Sequence, residues 1–214
     1  MMTRLIDAVR QAIRRVMRVI ARWFNKVTGG KVHPDSVTLV GLLMHVPIAV
    51  LIATEHWAIA AILLVVFGLF DTLDGDLARL QNRVTNNGGF LDATTDRMKE
   101  VLIYTGAAYA FALSDHPATA AWAAAACGAS ICVSYVRAKG ETIFATEDKN
   151  RSYVDLNKLF RDGLAPFEVR MFIFVVGLVT GQLVIVVAVL AVLASIAALQ
   201  RLLDIRKALA SGKN

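Results

Sequence analysis

The sequence predicts an all-α membrane protein, with six transmembrane helices preceded by an N-terminal amphipathic helix lying at the membrane surface. Three observations carry this. Of the 214 residues, 57% are hydrophobic, and the mean hydropathy is +0.56; ordinary soluble domains are about 45–50% apolar. The excess comes in blocks rather than evenly, as bilayer crossings require. The basic residues avoid every second turn between those blocks.

That third observation sets the orientation. Of the 23 Lys and Arg, eight lie in residues 1–31, four in 79–99, seven in 137–170 and four in 201–213. The turns 54–57, 114–119 and 181–182 hold none. With six spans, every basic segment falls on one side. The positive-inside rule makes that side cytoplasmic, with both termini cytoplasmic in a protein integral to the cytoplasmic (inner) membrane. A net charge of +6 would also fit nucleic acid, but this placement fits a bilayer surface, and no nucleic-acid partner is expected.

Residues 1–31 form the juxtamembrane element and residues 32–214 the membrane domain. In the first, Leu5, Ile6, Val9, Ile13, Val16, Met17, Ile20, Phe24 and Val27 recur at helical spacing, with basic residues between them. Such a helix lies on an anionic membrane surface, and Gly29-Gly30 ends it. His33-Pro34-Asp35-Ser36-Val37-Thr38 then leads into span one, residues 37–53. Pro34 suits a first helical turn and Asp35 and Ser36 suit its cap. His45 and Pro47 read as a kink or as packing. His56 and His116 fall in outer turns with no partner indicated.

Span two covers residues 57–80, span three 88–113 and span four 118–137. Span four is rich in Ala, Gly and Ser, which permits close helix packing within the bundle or across a homodimer. Cys127 and Cys132 lie in it, read as buried spectator thiols. Residues 141–163 read as a charged cytoplasmic loop with one short amphipathic helix. Spans five and six, residues 167–180 and 183–199, join through a tight turn at Gly181. The basic N-terminus does not resemble a cleavable signal peptide.

The chemistry concentrates between Asp71 and Asp96. Asp71, Asp74, Gly75 and Ala78 share one helical face, and Gly88, Asp92 and Asp96 share another. The apolar run of residues 58–70 leads straight into Asp71. Its 13 residues rise about 20 Å into a hydrocarbon layer about 30 Å thick, which places the acids in the cytoplasmic third of the bilayer. Carboxylates there are costly unless they are paired or hold a cation. Four oxygen donors suit a hard divalent ion, Mg²⁺ or Mn²⁺. Asp76 and Glu100 lie outside this pattern and are expected to be solvated or to support the ligands.

The spacing D-x2-D-G-x2-A-R-x8-G-x3-D-x3-D is met here at Asp71, Asp74, Gly75, Ala78, Arg79, Gly88, Asp92 and Asp96. With it the chain resembles the CDP-alcohol phosphatidyltransferase family. The resemblance implies transfer of a phosphatidyl group from a CDP-linked lipid such as CDP-diacylglycerol to an alcohol, with release of CMP. It implies two metal ions on Asp71, Asp74, Asp92 and Asp96, with Asp96 also the general base. Gly75 and Ala78 would leave room for the cytidine, Arg79 would pair with a donor phosphate, and Thr85 would donate a hydrogen bond there. Relatives touch the CDP portion with the stretch matching Pro34, Asp35, Ser36 and Val37, at a helix N-terminus whose free N–H groups suit a diphosphate. The plainer reading of these four, as a helix start, stands beside it.

Within the family the chain is most similar to the phosphatidylinositol phosphate synthases. Pro34-Asp35-Ser36-Val37-Thr38, Ser134-Tyr135-Val136-Arg137-Ala138-Lys139 and Gln200-Arg201 carry that likeness, with Arg170 at the start of span five. Pro166-Phe167 stands where those relatives have Glu-Arg. The likeness implies a phosphorylated acceptor, myo-inositol phosphate, held by Ser134, Arg137, Arg170 and Arg201. Arginine suits this because it is always charged and binds phosphate bidentately. The alternative for the arginines, and for Lys139, is anchorage at span ends. Glycerol 3-phosphate is the rival acceptor. An ion or proton transporter is the rival from another class, since intramembrane acids also mark ion pathways.

Overall fold

The structure is a computed structural model and describes residues 2–147 and 166–211. Every regular element among them is helical: α1 (Met2–Val27), α2 (Pro34–Ala53), α3 (Trp57–Gly68), α4 (Phe70–Leu80), α5 (Asn86–Ala112), a 3-10 turn (Pro117–Thr119), α6 (Ala120–Glu147), α7 (Phe167–Thr180) and α8 (Leu183–Ser211). Four stretches are long and apolar enough to cross a membrane: Pro34–Ala53, Trp57–Leu80, Pro117–Phe144 and Leu183–Ala210. Two of the six expected spans fall outside that set for different reasons. α5 is 27 residues long but carries Asp92, Asp96, Arg97, Lys99 and Glu100. α7 is apolar but has only 14 residues.

The chain divides into two compact units, Met1–Leu51 with Ile59–Ile103, and Ile52–Ala58 with Tyr104–Asn214. In the first, α1 packs on α4. Met17 and Ala21 from α1, Val37 from α2, and Leu73 and Leu77 from α4 form a buried cluster, flanked by Phe24, Val32, Leu69 and Phe70. The adjoining flank of α1 leaves Val16, Val19, Trp23 and Val27 exposed. The helix thus has one broad apolar face, as its sequence pattern read, of which one flank is packed and the other exposed. Gly29 and Gly30 end it with φ of 60° and 70°, a region open to glycine at little cost. Gln81 ties the end of α4 back to this turn, its Nε2 donating to Asn25 Oδ1 at 2.9 Å and to the Val32 carbonyl at 3.0 Å.

Span two is interrupted. Leu69 separates α3 from α4, and its N–H is shared between the Val65 and Val66 carbonyls at 3.3 Å each. The acids thus begin on a new helical segment. The link to α5 is closed by a cap: Thr85 Oγ1 accepts a hydrogen bond from the Gly88 N–H at 3.0 Å, satisfying a donor that the first turn of a helix leaves open.

In the second unit α6, α7 and α8 pack together, α8 against both of the others. Gly181 closes the α7–α8 hairpin with φ 71°, the tight turn expected. Gly177 sits so close to α8 that an added Cβ would lie 2.8 Å from Val186 Cβ. Tyr104 and Phe174 meet edge to face, ring centroids 5.5 Å apart, a favoured aromatic geometry. Two boundaries differ from expectation. α6 runs on through residues 141–147, and α8 continues to Ser211. Phe144 and Ile205 bury each other's ends, with Val136, Ala208 and Leu209 around them, so tertiary packing extends both helices past the apolar runs. Residues 148–165, the remainder of the expected loop, lie outside the described residues. Cys127 is half-buried and Cys132 exposed, neither in a disulfide, so the second is not the buried thiol expected.

Candidate functional site

The first unit carries the acids. Asp74, on α4, is buried. Its Oδ2 accepts a 2.5 Å hydrogen bond from Thr38 Oγ1 on α2. Thr38 is itself buried, so the pair fixes one carboxylate oxygen. Asp92, one turn and a half into α5, has Oδ1 buried without a hydrogen-bond partner among the described residues. Asp74 and Asp96 lie close enough for their charges to act on it. The backbone of Asp71 is in α4, but its side chain lies outside the described residues.

Asp96 has cationic company. Lys99 Nζ stands 3.3 Å from Asp96 Oδ1, and Arg97 Nη2 stands 3.9 Å from Asp96 Oδ2. Lys99 is only 3% exposed. Arg97 Nη1 also donates to Glu100 Oε2 at 2.5 Å, and Glu100 is fully buried. Asp76 is buried as well, and accepts from Arg79 Nη2 at 2.6 Å. Solvation is thereby excluded for both Asp76 and Glu100: each is a buried partner of an arginine.

Arg79 folds back along its own helix. Its guanidinium lies 3.5 Å from where a side chain on Gly75 would begin, an ordinary contact distance. Arg79 is otherwise the exposed member of its pair. Ala78 and Gly75 are half-buried beside it. At the start of α2, Pro34 occupies the first helical position, Ser36 is exposed, and the Asp35 N–H donates to His33 Nδ1 at 3.3 Å. Asp35 Oδ1 lies 3.5 Å from the Cβ position of Gly88, which brings the starts of α2 and α5 together beside Thr85. Val37 sits instead in the apolar cluster.

Do these residues fit a divalent cation? Among the described residues no three His, Cys, Asp or Glu side chains converge as a metal cage; that set excludes the Asp71 side chain. The donor chemistry is all carboxylate, as Mg²⁺ and Mn²⁺ prefer. The buried, unpartnered Asp92 Oδ1 is costly as it stands and is available to a cation. The residues fit the ion.

The second unit carries the arginines. Arg201, on α8, reaches across to α6, where its Nη1 donates to the Val133 carbonyl at 3.4 Å. Arg137 and Arg170 lie close enough to repel it, and Glu141 close enough to attract it. Arg170, at the start of α7, is 2% exposed. Arg137 is exposed and pairs with Glu141 at 2.8 Å, one turn along α6. Ser134 Oγ donates to the Ser130 carbonyl at 3.4 Å, and Lys139 is exposed. Three arginines from three helices thus gather at one end of this unit.

Sequence reasoning placed Thr38 in the stretch that opens α2 but not against Asp74, and passed over Lys99. Lys99 was detectable, since it follows Asp96 by three residues and so shares its face. The contact of Thr38 with Asp74 was not, because the two lie 36 residues apart.

Comparison with known proteins gives the relatives of the chain. The family model for CDP-alcohol phosphatidyltransferase matches residues 31–199. The chain is 34% identical over 143 residues to a phosphatidylinositol phosphate synthase of Cutibacterium acnes, a match covering 65% of this chain and 67% of that one. It is 38% identical over 121 residues to the enzyme of the same name from Corynebacterium glutamicum, covering 55% of each. An archaetidylinositol phosphate synthase of Pyrococcus horikoshii is 30% identical over 108 residues, covering 50% of this chain and 54% of that one. The matches thus span two thirds of the first relative and just over half of the other two. Two crystal structures of the Mycobacterium tuberculosis phosphatidylinositol phosphate synthase share the fold at 26% identity. The one with CDP-DAG bound has a TM-score of 0.73, covering 89% of this chain and 94% of that one. The one in complex with manganese and citrate has a TM-score of 0.74, covering 88% of each. The motif, the helices that carry it and these likenesses lead to one assignment: the chain belongs to the CDP-alcohol phosphatidyltransferase family.

Proposed function

We propose that this protein is a membrane phospholipid synthase that transfers a phosphatidyl group from CDP-diacylglycerol to myo-inositol phosphate and releases CMP. The observation that carries the reading is that Asp74 on α4 lies close enough to Asp92 on α5 for its charge to act there, with Asp92 Oδ1 buried and unpartnered among the described residues. The named relatives, which include phosphatidylinositol phosphate synthases, support the acceptor.

Asp71, Asp74, Asp92 and Asp96 would hold two divalent ions, Mg²⁺ or Mn²⁺. When bound, these supply charge neutralisation to the donor diphosphate and to the departing CMP. The chain's own residues do the rest. Thr38 fixes Asp74. Arg79 swings from Asp76 to a donor phosphate, and the small Gly75 and Ala78 admit the nucleotide. The start of α2 at Pro34, Asp35, Ser36 and Val37, with Thr85, frames the same end of the unit. Asp96 takes the proton from the acceptor hydroxyl as its oxygen bonds to the lipid-bearing phosphorus and the bond to CMP breaks. A carboxylate there acts through position rather than basicity. Ser134, Arg137, Arg170 and Arg201 bind the acceptor phosphate, for which three guanidinium groups provide charge and paired donors.

The membrane reading completes this. Six spans, formed by α2, α3 with α4, α5, α6, α7 and α8, put every basic cluster on the cytoplasmic face of the inner membrane. The charges of α5 are then buried among protein groups rather than lipid, as the 3% exposure of Lys99 and the full burial of Glu100 support. The exposed apolar face of α1 rests on the bilayer surface, with its basic residues toward anionic headgroups. The small residues of α6 offer a homodimer face.

The test is CMP release by the purified protein from CDP-diacylglycerol, with myo-inositol phosphate, glycerol 3-phosphate and unphosphorylated inositol as separate acceptors. Release driven by inositol phosphate is expected. Release driven only by glycerol 3-phosphate would move the protein to the phosphatidylglycerophosphate synthases. No release with any acceptor, in protein that carries ions across vesicles, would favour the transporter.

A further inference from the structure

Lys99 is the one lysine buried among the acids of the first unit. Its Nζ lies 3.3 Å from Asp96 Oδ1, and the residue is 3% exposed. Asp74 and Asp92 both feel its charge, and so does the buried His45 of α2. Arg97, next to Asp96 on α5, is drawn off toward Glu100 at 2.5 Å and stands 3.9 Å from Asp96. The nearer cation to Asp96 is therefore the ammonium, on a flexible stem one helical turn away.

A lysine is a compact charge that occupies the space a small ion would. Burying it costs several kcal/mol unless carboxylates surround it. The same carboxylates are the ones expected to hold the cations. A fixed positive charge a few ångströms from a divalent ion repels it strongly in a partly buried site. It also competes for Asp96 Oδ1 directly.

We propose that Lys99 is a positioning residue that holds Asp96 and lowers the affinity of the Asp92–Asp96 end of the site for a divalent cation. The ammonium neutralises that end when no metal is bound, and must move off Asp96 when one is. Divalent ion there is consequently held weakly and exchanges readily. This inference rests on the metal reading of the four aspartates given above.

Mn²⁺ binding to the purified full-length protein in detergent, followed by electron paramagnetic resonance of free Mn²⁺, tests it without reference to turnover. Wild type is compared with Lys99→Met, Lys99→Gln and Lys99→Arg, each checked for helical content and monodispersity. The neutral variants are expected to bind Mn²⁺ about tenfold more tightly or better, and Lys99→Arg to stay near wild type. Unchanged or weaker Mn²⁺ binding in the neutral variants overturns the inference, as does failure of both to fold, because a neutral side chain of similar length should fill the same volume. No Mn²⁺ binding by wild type would instead overturn the metal reading itself.

Discussion

Thr38 Oγ1 donates a 2.5 Å hydrogen bond to Asp74 Oδ2, both residues buried and 36 positions apart in the chain. It joins the second turn of α2 to the middle of α4. Replacing Thr38 with Val keeps the shape and removes the hydroxyl. The carboxylate then loses a charge-assisted bond worth about 1.5–3 kcal/mol and is free to rotate. Thr38→Val should therefore raise the Mg²⁺ concentration needed for half-maximal CMP release by about tenfold, by that same energy. Thr38→Ser should restore most of it. A Val variant with an unaltered Mg²⁺ dependence would show that the bond does not orient the ligand.

Neutral replacements at the acids address the ligand set. Asp71→Asn, Asp74→Asn and Asp92→Asn should each abolish CMP release, because each removes an anionic donor from the cation. Helical content should stay as in wild type. Substantial activity in one of them at ordinary Mg²⁺ removes that residue from the ligands.

Arg170 discriminates between phosphate binding and membrane anchorage. It is 2% exposed, which suits a pocket better than a span-end anchor reaching for headgroups. Arg170→Ala should raise the acceptor KM about ten- to a hundredfold, from a contact worth about 1.5–3 kcal/mol, with the donor KM little changed. Arg170→Lys should recover only part, because Lys lacks the bidentate fork. Lower yield with unchanged acceptor KM would make the residue an anchor.

Gly177 sets the closeness of α7 and α8. A methyl group there would stand 2.8 Å from Val186 Cβ, a separation between two rigid positions that only backbone movement relieves. Gly177→Ala should destabilise the protein by about 1–3 kcal/mol, read as a lower Tm. Paired with Val186→Ala, it should lose most of that effect, which a double-mutant cycle measures.

Topology is accessible through the turn before α6. In a background without Cys127 and Cys132, a cysteine replacing Asp115 should react with an impermeant reagent from outside the cell. Reaction only from the inside would overturn the six-span arrangement.

The sequence by itself determined the helical class, the turns at Gly29-Gly30 and Gly181, and the family, because these depend on local signals. Apolar blocks, positive-φ glycines and eight fixed residues at fixed gaps are all properties of the chain as written. It also determined that Asp74 and Ala78 share a face, since helical periodicity requires it. Tertiary structure alone decided the surroundings of those residues. That Asp74 meets Thr38, that Asp76 is buried beneath Arg79, and that Lys99 is buried beside Asp96 depend on neighbouring helices removing water from side chains that could equally have been solvated. The ends of α6 and α8 were decided the same way: polar sequence past the apolar runs stays helical because Phe144 and Ile205 are buried there. Burial is a relation between distant segments. A one-dimensional pattern shows which residues can face inward, while the partners they find there depend on the packing.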